Sequence, residues 1–280
     1  MKILVTGGSG YLGTHVKQYL EAADLSRRSG YDILDESDVE MVRDYDCVVH
    51  FAALLDKSAE SAEEVFQTNV GGTINVLKKV RKDASFIFAS TKDVYGPFAD
   101  NFREVPESCP TLYAGQSALE WSKLIAERYV EYYGNIGGFR TCILRLSTVY
   151  APPTDGNVPN FVGHYAEAIN TGMPIALPGG GTPRRDLLHV HDLAEACRAF
   201  ADSIIRRGLY NVGGGSANAV TLTELVKFME EASGLQAVLD QDTQLEAPRP
   251  LNYVSDLRLI TQELGWKPTI KLKNGLKTLF

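Results

Sequence analysis

At 280 residues the chain is long enough to bury a large core, in one or two domains. A net charge of −7 argues against a general nucleic-acid or anionic-membrane surface, and no apolar stretch approaches transmembrane length. The N-terminal apolar run is too short for a secretory leader, and Cys47, Cys109, Cys142 and Cys197 are scattered without metal or disulfide spacing; reduced thiols in a cytoplasmic protein are expected.

Met1 to Gly13 read MKILVTGGSGYLG. The apolar run Ile3-Leu4-Val5 has the size of a buried parallel strand. It breaks into Gly7, Gly8 and Gly10, then gives way to a helical pattern through Leu12, Val16 and Leu20. Strand, glycine turn and helix N-terminus together suit a pyrophosphate, because backbone N–H groups and the helix dipole both favour negative charge there. Glycine is needed because a Cβ would block the approach of backbone to phosphate. Two spacings fit, Gly8-x-Gly10-x-x-Gly13 and Gly7-x-x-Gly10-x-x-Gly13, and both predict a dinucleotide site.

Ala22 to Asp35 must supply the next strand or strands, and two registers compete. In one, Ala23–Ser26 is the second strand, ending at Arg27-Arg28, and Tyr31–Leu34 is the third. In the other, Tyr31–Leu34 is the second strand and Asp35 the acid that holds an adenosine ribose. The latter leaves the half-fold one strand short before Cys47, so the former is preferred. Arginines after the second strand suit a 2′-phosphate, hence NADP, whereas an acid suits the free hydroxyl of NAD. The plainer reading of Arg27 and Arg28 is as solvated loop charges.

Ser37-x-x-Glu40 predicts a capping box opening a short helix, and Cys47–Phe51 a buried strand followed by small Ala52-Ala53. A long helix is expected over about Glu60–Lys82, with Phe66, Val70, Ile74 and Leu77 on one face. Gly71-Gly72 inside it imply close packing against a neighbour. Ser85–Ala89 predicts a strand, Ala118–Tyr133 a helix and Thr141–Leu146 a strand, so the fold class is α/β with a doubly wound parallel sheet. Pro152, Pro153 and Pro159 interrupt the pattern after Tyr150. That places one domain at residues 1–150 and a smaller α/β domain at 151–280, with segments near 185–212 returning to the first. Further strands are expected at Asp186–Val190 and Leu209–Val212. Thr221-x-x-Glu224 caps a helix that Gly234 ends, and Ser255 begins another that Gly265 ends.

These motifs, taken in order, resemble the extended short-chain dehydrogenase/reductases, specifically the NAD-dependent epimerase/dehydratase family that modifies nucleotide sugars. The matching pieces are TGGSGYLG (Thr6 to Gly13), DIL (Asp32 to Leu34), HFAA (His50 to Ala53), TNVGGTINVL (Thr68 to Leu77), ASTKDVYG (Ala89 to Gly96) and SKLIAE (Ser122 to Glu127). LRLSTVYAP (Leu144 to Pro152), RRDLLHVHDLA (Arg184 to Ala194), YNVGGG (Tyr210 to Gly215) and ELGWKP (Glu263 to Pro268) complete them. The resemblance implies a Rossmann domain in which Gly7, Gly10, Tyr11, Leu12 and Gly13 line the pyrophosphate and Asp32 and Ile33 meet the adenine. It implies that Phe51, Ala52 and Ala53 run beneath the cofactor and that Lys123 holds the nicotinamide ribose. Arg185 and Arg249 fall where the family clamps the substrate's diphosphate, a role that suits the planar guanidinium fork. It also implies a homodimer built from two long helices of each subunit.

The active site departs from the family pattern. The family places a Tyr four residues before the Lys, one helical turn away, so that Lys lowers the phenol's pKa for proton exchange with the substrate. Here that position is Leu119, and Tyr113 has Ser117 where the Lys should be. Thr91 matches the family's catalytic Ser/Thr. Lys92 and Asp93 occupy the places of the acidic pair of sugar 4,6-dehydratases, so Asp93 is a candidate base and Lys92 its acid partner. Tyr95 or Tyr113 could swing into the vacated space. Leu146 stands where the family has Pro beside the cofactor, and Thr148 where it has a substrate-contacting Asn. His189-x-His191 has metal-like spacing but no third ligand, so no metal is expected. The leading function is an NAD(P)-dependent, nucleotide-sugar epimerase/dehydratase-like enzyme working through a transient keto sugar, with NADP preferred over NAD. The alternatives are an NADPH-dependent keto-sugar reductase and a catalytically degenerate dinucleotide-binding sensor or scaffold.

Overall fold

A computed structural model describes residues 1–111, 116–154, 157 and 160–280. In chain order the first half comprises β1 (Ile3–Thr6), α1 (Tyr11–Leu20), β2 (Ala23–Leu25), β3 (Cys47–His50), α2 (Ala62–Phe66), α3 (Thr73–Leu77), β4 (Ser85–Thr91), α4 (Ala118–Gly137) and β5 (Arg140–Leu146). The second comprises β6 (Thr148–Tyr150), α5 (Phe161–Thr171), β7 (Pro174–Ile175), β8 (Arg184–His189), α6 (Val190–Asp202), β9 (Arg207–Val212), β10 (Ala219–Thr221), α7 (Leu222–Ser233), β11 (Val238–Leu239), β12 (Asn252–Tyr253), α8 (Arg258–Leu264) and α9 (Leu272–Leu276).

Six parallel strands, in the order β2-β1-β3-β4-β5-β9, form the main sheet. Side chains alternate across a strand, so one face carries Leu4, Val48, Phe86, Phe88 and Ile143 and the other Val5, Val49, Ile87 and Leu144. Val76, Leu77, Ala126 and Val130 of α3 and α4 cover the first face, and Val16, Leu20, Leu193 and Cys197 of α1 and α6 the second. Apolar cover on both faces makes this the doubly wound α/β arrangement of a Rossmann fold. The C-terminal part builds a second sheet around β8, which pairs with β6, β10 and β12, and packs it on α5, α7 and α9. Among the described residues no helix is long and apolar enough to cross a membrane.

The sequence expectations fail at identifiable places. Ala23–Leu25 is the second strand, but Tyr31–Leu34 is a turn: Leu34 N–H donates to Asp32 Oδ1 and Asp32 N–H to Asp38 Oδ2, which offers the backbone a local alternative to a ladder. Ser37 caps nothing, because its hydroxyl and N–H both turn to Asp35 Oδ1, and the helix at Asp38–Asp44 is 3₁₀. The long helix is interrupted by a π-turn, Gln67–Gly72, which rotates its faces: Val65, Asn69, Val70, Thr73, Val76 and Leu77 are buried while Phe66 is exposed. A Cβ on Gly72 would lie 2.4 Å from Ile33 Cδ1, whereas one on Gly71 would meet only ordinary contact. Ser255 is held by Asp186 instead of opening a helix, which starts at Arg258; Gly265 ends it as expected. Thr221 and Glu224 form the capping box and Gly234 closes that helix at φ +72°.

All four cysteines are buried and unbridged, and burial raises every thiol, Cys47 and Cys109 to about 11. Their folded values lie above the unfolded value of about 8.5, so only the unfolded chain gains thiolates as pH climbs beyond that point. Stability is therefore expected to be intact below about pH 8.5 and to fall progressively above it. Denaturant titrations between pH 7.5 and 10 check this, and a Cys142→Ala/Cys197→Ala variant should show a shallower decline.

Candidate functional site

At the carboxyl edge of the main sheet, β1 ends in a tight turn that only glycines allow. Gly10 N–H donates to Gly7 O (2.9 Å), and Gly7 sits at φ +68°, where a Cβ would be 2.7 Å from Ala52 N. A Cβ on Gly13 would fall 2.1 Å from Gly7 O. The strand β3 continues into Phe51 and Ala52, whose N–H groups donate to Thr6 O and Thr6 Oγ1, which is why this segment lies against Gly7; Ala53 follows, half-buried. Helix α1 begins at Tyr11 with no side-chain cap and no acid in its first turn, so no carboxylate competes for its N-terminal amides. Tyr11 turns its hydroxyl to Ala151, accepting from N–H (2.9 Å) and donating to O (3.1 Å), and Leu12 packs on the core.

Arg27 and Arg28 form an exposed 3₁₀ turn directly after β2. Arg28 Nη1 donates to Ser9 O (3.1 Å) and Asn157 Oδ1 (3.0 Å), and Ser9 Oγ donates to Ser26 Oγ (2.8 Å), so turn and glycine loop are tied together. Asp24, the acid on β2, faces Gly8 and pairs with Lys17 at 3.2 Å. Asp32 is half-buried, while Ile33 is a core residue seated on Gly72.

The end of β4 carries the charged residues. Thr91 Oγ1 accepts from Asp93 N–H (3.1 Å), while Lys92 is buried, paired with Asp93 and 5.3 Å from the centroid of Tyr253. Burial works to raise the Asp93 carboxyl, but Lys92 and Lys57 outweigh it and hold the group well below the usual carboxylate range. Lys57 bridges Asp93 (3.5 Å) and the buried Glu120 (2.6 Å). On α4, Lys123 Nζ donates to Ala89 O (2.8 Å), and Leu119 is buried one turn before it. Beneath them Glu127 and Arg145, both almost wholly buried, form a bidentate pair (2.7 and 3.0 Å) that Ser90 Oγ joins. Leu146 closes β5 opposite Thr91, and Thr148 is buried on β6.

A cleft of about 590 Å³ opens beside this edge. Lys92, Asp93, Arg185 and Arg249 all line it, together with Lys57, Gln116 and Glu120. Its far wall is apolar, from Phe161, Tyr165, Pro178, Pro183, Leu222 and Pro248. Arg185 is buried and donates to the carbonyls of Arg184, Leu251 and Pro250 (2.7–2.8 Å), while Arg249 is exposed, 3.9 Å from Asp100. Tyr113 lies outside the described residues. Tyr95 is buried in the Arg145 network, its hydroxyl donating to Asn211, and does not line the cleft. His189 accepts from His191 N–H (3.2 Å) at the start of α6, and no cluster that could hold a metal occurs among the described residues. Sequence reasoning missed Lys57 and Glu120. Glu120 was legible as the last residue of the Ser117-x-x-Glu120 capping box, but its partner Lys57 comes from a loop that carries no periodic signal.

Residues 3–213 match the family described as NAD dependent epimerase/dehydratase. The CDP-paratose 2-epimerase of Salmonella typhi is 27% identical over 333 residues, covering 100% of this chain and 98% of that protein. A dTDP-glucose 4,6-dehydratase of Mycobacterium tuberculosis is 29% identical, covering 99% and 92%. Among solved structures, MoeE5 in complex with UDP-glucuronic acid and NAD superposes with a TM-score of 0.86 at 26% identity, covering 100% of this chain and 97% of that one. The Thermus thermophilus UDP-glucose 4-epimerase in complex with NAD gives 0.80 at 27%, covering 99% and 97%. With the glycine turn, the strand order and end-to-end likeness all in agreement, the chain belongs to the NAD-dependent epimerase/dehydratase family.

Proposed function

We propose that the protein is an NAD(P)-dependent enzyme that converts a nucleotide-activated sugar through a transient keto sugar. The observation that carries this reading is the meeting, at one edge of one sheet, of a side-chain-free turn and a cleft holding Lys92, Asp93, Arg185 and Arg249. The residues fit a dinucleotide: without Cβ atoms Gly7 packs on the backbone of Ala52 and Gly13 on that of Gly7, which sets the N-terminal amides of α1, uncapped by any side chain, close to the end of β1 where a pyrophosphate is favoured. When bound, the nicotinamide supplies reversible hydride transfer. Gly7, Gly10, Tyr11, Leu12 and Gly13 would hold the pyrophosphate, Asp32 and Ile33 the adenine, and Phe51, Ala52, Ala53 and Leu146 the remaining length. Arg185 and Arg249 would take the diphosphate of the substrate and Thr91 and Thr148 the sugar. The prolines and aromatic rings of the far wall suit a base. In this reading residues 1–150 form the coenzyme half and 151–280 the substrate half, with β9 crossing back. Exposed Trp121, Tyr129, Tyr132 and Ile136 along α4 support a homodimer, which sedimentation velocity would test.

Within this reading the coenzyme is NADP. The acid on β2, Asp24, is paired with Lys17 (3.2 Å), and Ser26, Arg27 and Arg28 follow the strand, so the charges that come next suit a 2′-phosphate. In an Arg27→Ala/Arg28→Ala variant the affinity for NADP should fall about 10- to 100-fold, the worth of one or two charge-assisted bonds, while that for NAD barely changes. Calorimetric titration with both coenzymes measures this; equal losses for the two would remove the assignment. The function itself is tested by incubating the protein with either coenzyme and a panel of UDP-, dTDP-, CDP- and GDP-sugars, read by absorbance at the reduced nicotinamide band and by mass spectrometry. No conversion of any of them, with coenzyme bound, would favour the second reading that Leu119 motivates, a dinucleotide sensor without chemistry.

A further inference from the structure

Among the described residues that line the cleft, Lys57, Lys92, Arg185 and Arg249 stand against Asp93 and Glu120, an excess of two positive charges. How these six are paired decides what a sugar can present to them. At the end of β4 and the start of α4 nothing is in surplus. Lys92 pairs with Asp93 and lies 5.3 Å from the centroid of the Tyr253 ring. Lys57 stands between Asp93 (3.5 Å) and Glu120 (2.6 Å). Neither acid is free to step aside. Glu120 also accepts from Ser117 N–H (2.8 Å) and Ser117 Oγ (2.6 Å), and Asp93 N–H donates to Thr91 Oγ1 (3.1 Å). Gln116 Nε2 donates to the carbonyls of Asp93 (3.3 Å) and Val94 (3.2 Å), which fixes the same turn a second time.

The excess comes from β8 and the segment before β12. Arg185 gives three of its five N–H groups to backbone carbonyls, which leaves Nε–H and one Nη2–H for a ligand. Arg249 is exposed, with Asp100 3.9 Å away. A diphosphate, with one negative charge on each phosphate, matches that excess and leaves no cation over. We propose that the cleft takes nucleotide sugars whose sugar is uncharged and rejects the matching uronates, with Asp93 and Glu120 as the residues that set this choice. A neutral sugar offers hydroxyl donors, and the carboxylate oxygens of Asp93, each engaged by one lysine, keep lone pairs to accept them. A uronate instead brings a third carboxylate to ammonium groups that already have partners, and it would be desolvated among like charges. Selectivity then comes from a repulsive element built into the site. The inference rests on the substrate class proposed above, and it adds the charge of the sugar.

Two matched pairs test it: UDP-glucose against UDP-glucuronate, and GDP-mannose against GDP-mannuronate. Each is titrated calorimetrically into the protein loaded with reduced coenzyme, which cannot oxidise either sugar. The neutral member of a pair that binds should bind at least about 10-fold tighter than its uronate, since opposed like charges are costly at a partly buried site. Glu120→Gln keeps the capping box, because Gln serves at that position, yet removes one carboxylate from the cleft. It should narrow the ratio at least about fivefold by strengthening uronate binding. Asp93→Asn should do the same and stands in if the first variant fails to fold by circular dichroism. A uronate bound as tightly as its neutral partner, or a ratio that neither substitution moves, would overturn the inference alone. Binding of no member of either pair would remove the substrate class itself, and the inference with it.

Discussion

A Glu127→Gln variant is expected to lose about 3–5 kcal/mol of stability, the cost of leaving one member of a buried ion pair without its partner. Glutamine keeps the shape of the side chain but not its charge, and Arg145 would remain almost fully buried as an uncompensated guanidinium. The effect should spread, because the pair joins α4 to β5, Ser90 ties it to β4, and Arg145 Nη1 donates to Tyr95 OH (3.1 Å), itself bonded to Asn211 on β9 (2.7 Å). Urea titration at pH 7 measures the change. Replacing both partners with apolar residues, Glu127→Leu/Arg145→Met, should restore much of the loss, since the desolvated charge goes with them. A single-variant loss below about 1 kcal/mol would show that water reaches the pair and that the network is not a fixed element of the fold.

The second large effect is on coenzyme binding. Gly13→Ala places a methyl 2.1 Å from the carbonyl oxygen of Gly7, a backbone atom with no rotamer to yield, so the turn must open. Affinity for either pyridine coenzyme should drop at least roughly 100-fold, or about 2.7 kcal/mol. Gly10→Ala provides the internal comparison, because its methyl would stand 3.2 Å from the same oxygen and a shift of a few tenths of an ångström would relieve it. Circular dichroism separates a local change from unfolding. Calorimetry showing the two variants binding alike would mean that the coenzyme does not rely on this turn.

These two sites differ in how far the amino-acid sequence announces them. The glycine spacing is a local pattern, and turn geometry follows from residues a few positions apart, so Gly7, Gly10 and Gly13 were legible before any fold was known. The alternation that splits Leu4 from Val5 and Phe86 from Ile87 was equally readable, because a strand's period is two. Glu127 and Arg145 lie inside SKLIAE and LRLSTVYAP, but nothing in either motif says that they pair. Tyr31–Leu34 misled because its apolar content suits a strand, while Asp32 and Asp38 bind the backbone locally and win. Lys57 and its bridge between Glu120 and Asp93 depend on how a loop, the first turn of α4 and the turn after β4 come together, which no short-range rule supplies.

The π-turn at Gln67–Gly72 has a bearing on how this helix tolerates change in length. A deletion in the middle of an ordinary helix swings everything beyond it by about 100° and drags buried residues into water. Here the surplus residue is already stored as slack, so omission of Gly71 would draw the ladder tight and leave Val76 and Leu77 in their seats. What would go astray is Asn69, whose amide clasps Leu54 from both sides and reaches Ser122. The slack thus serves one side chain, and through it the stretch of backbone that carries Lys57 to the cleft.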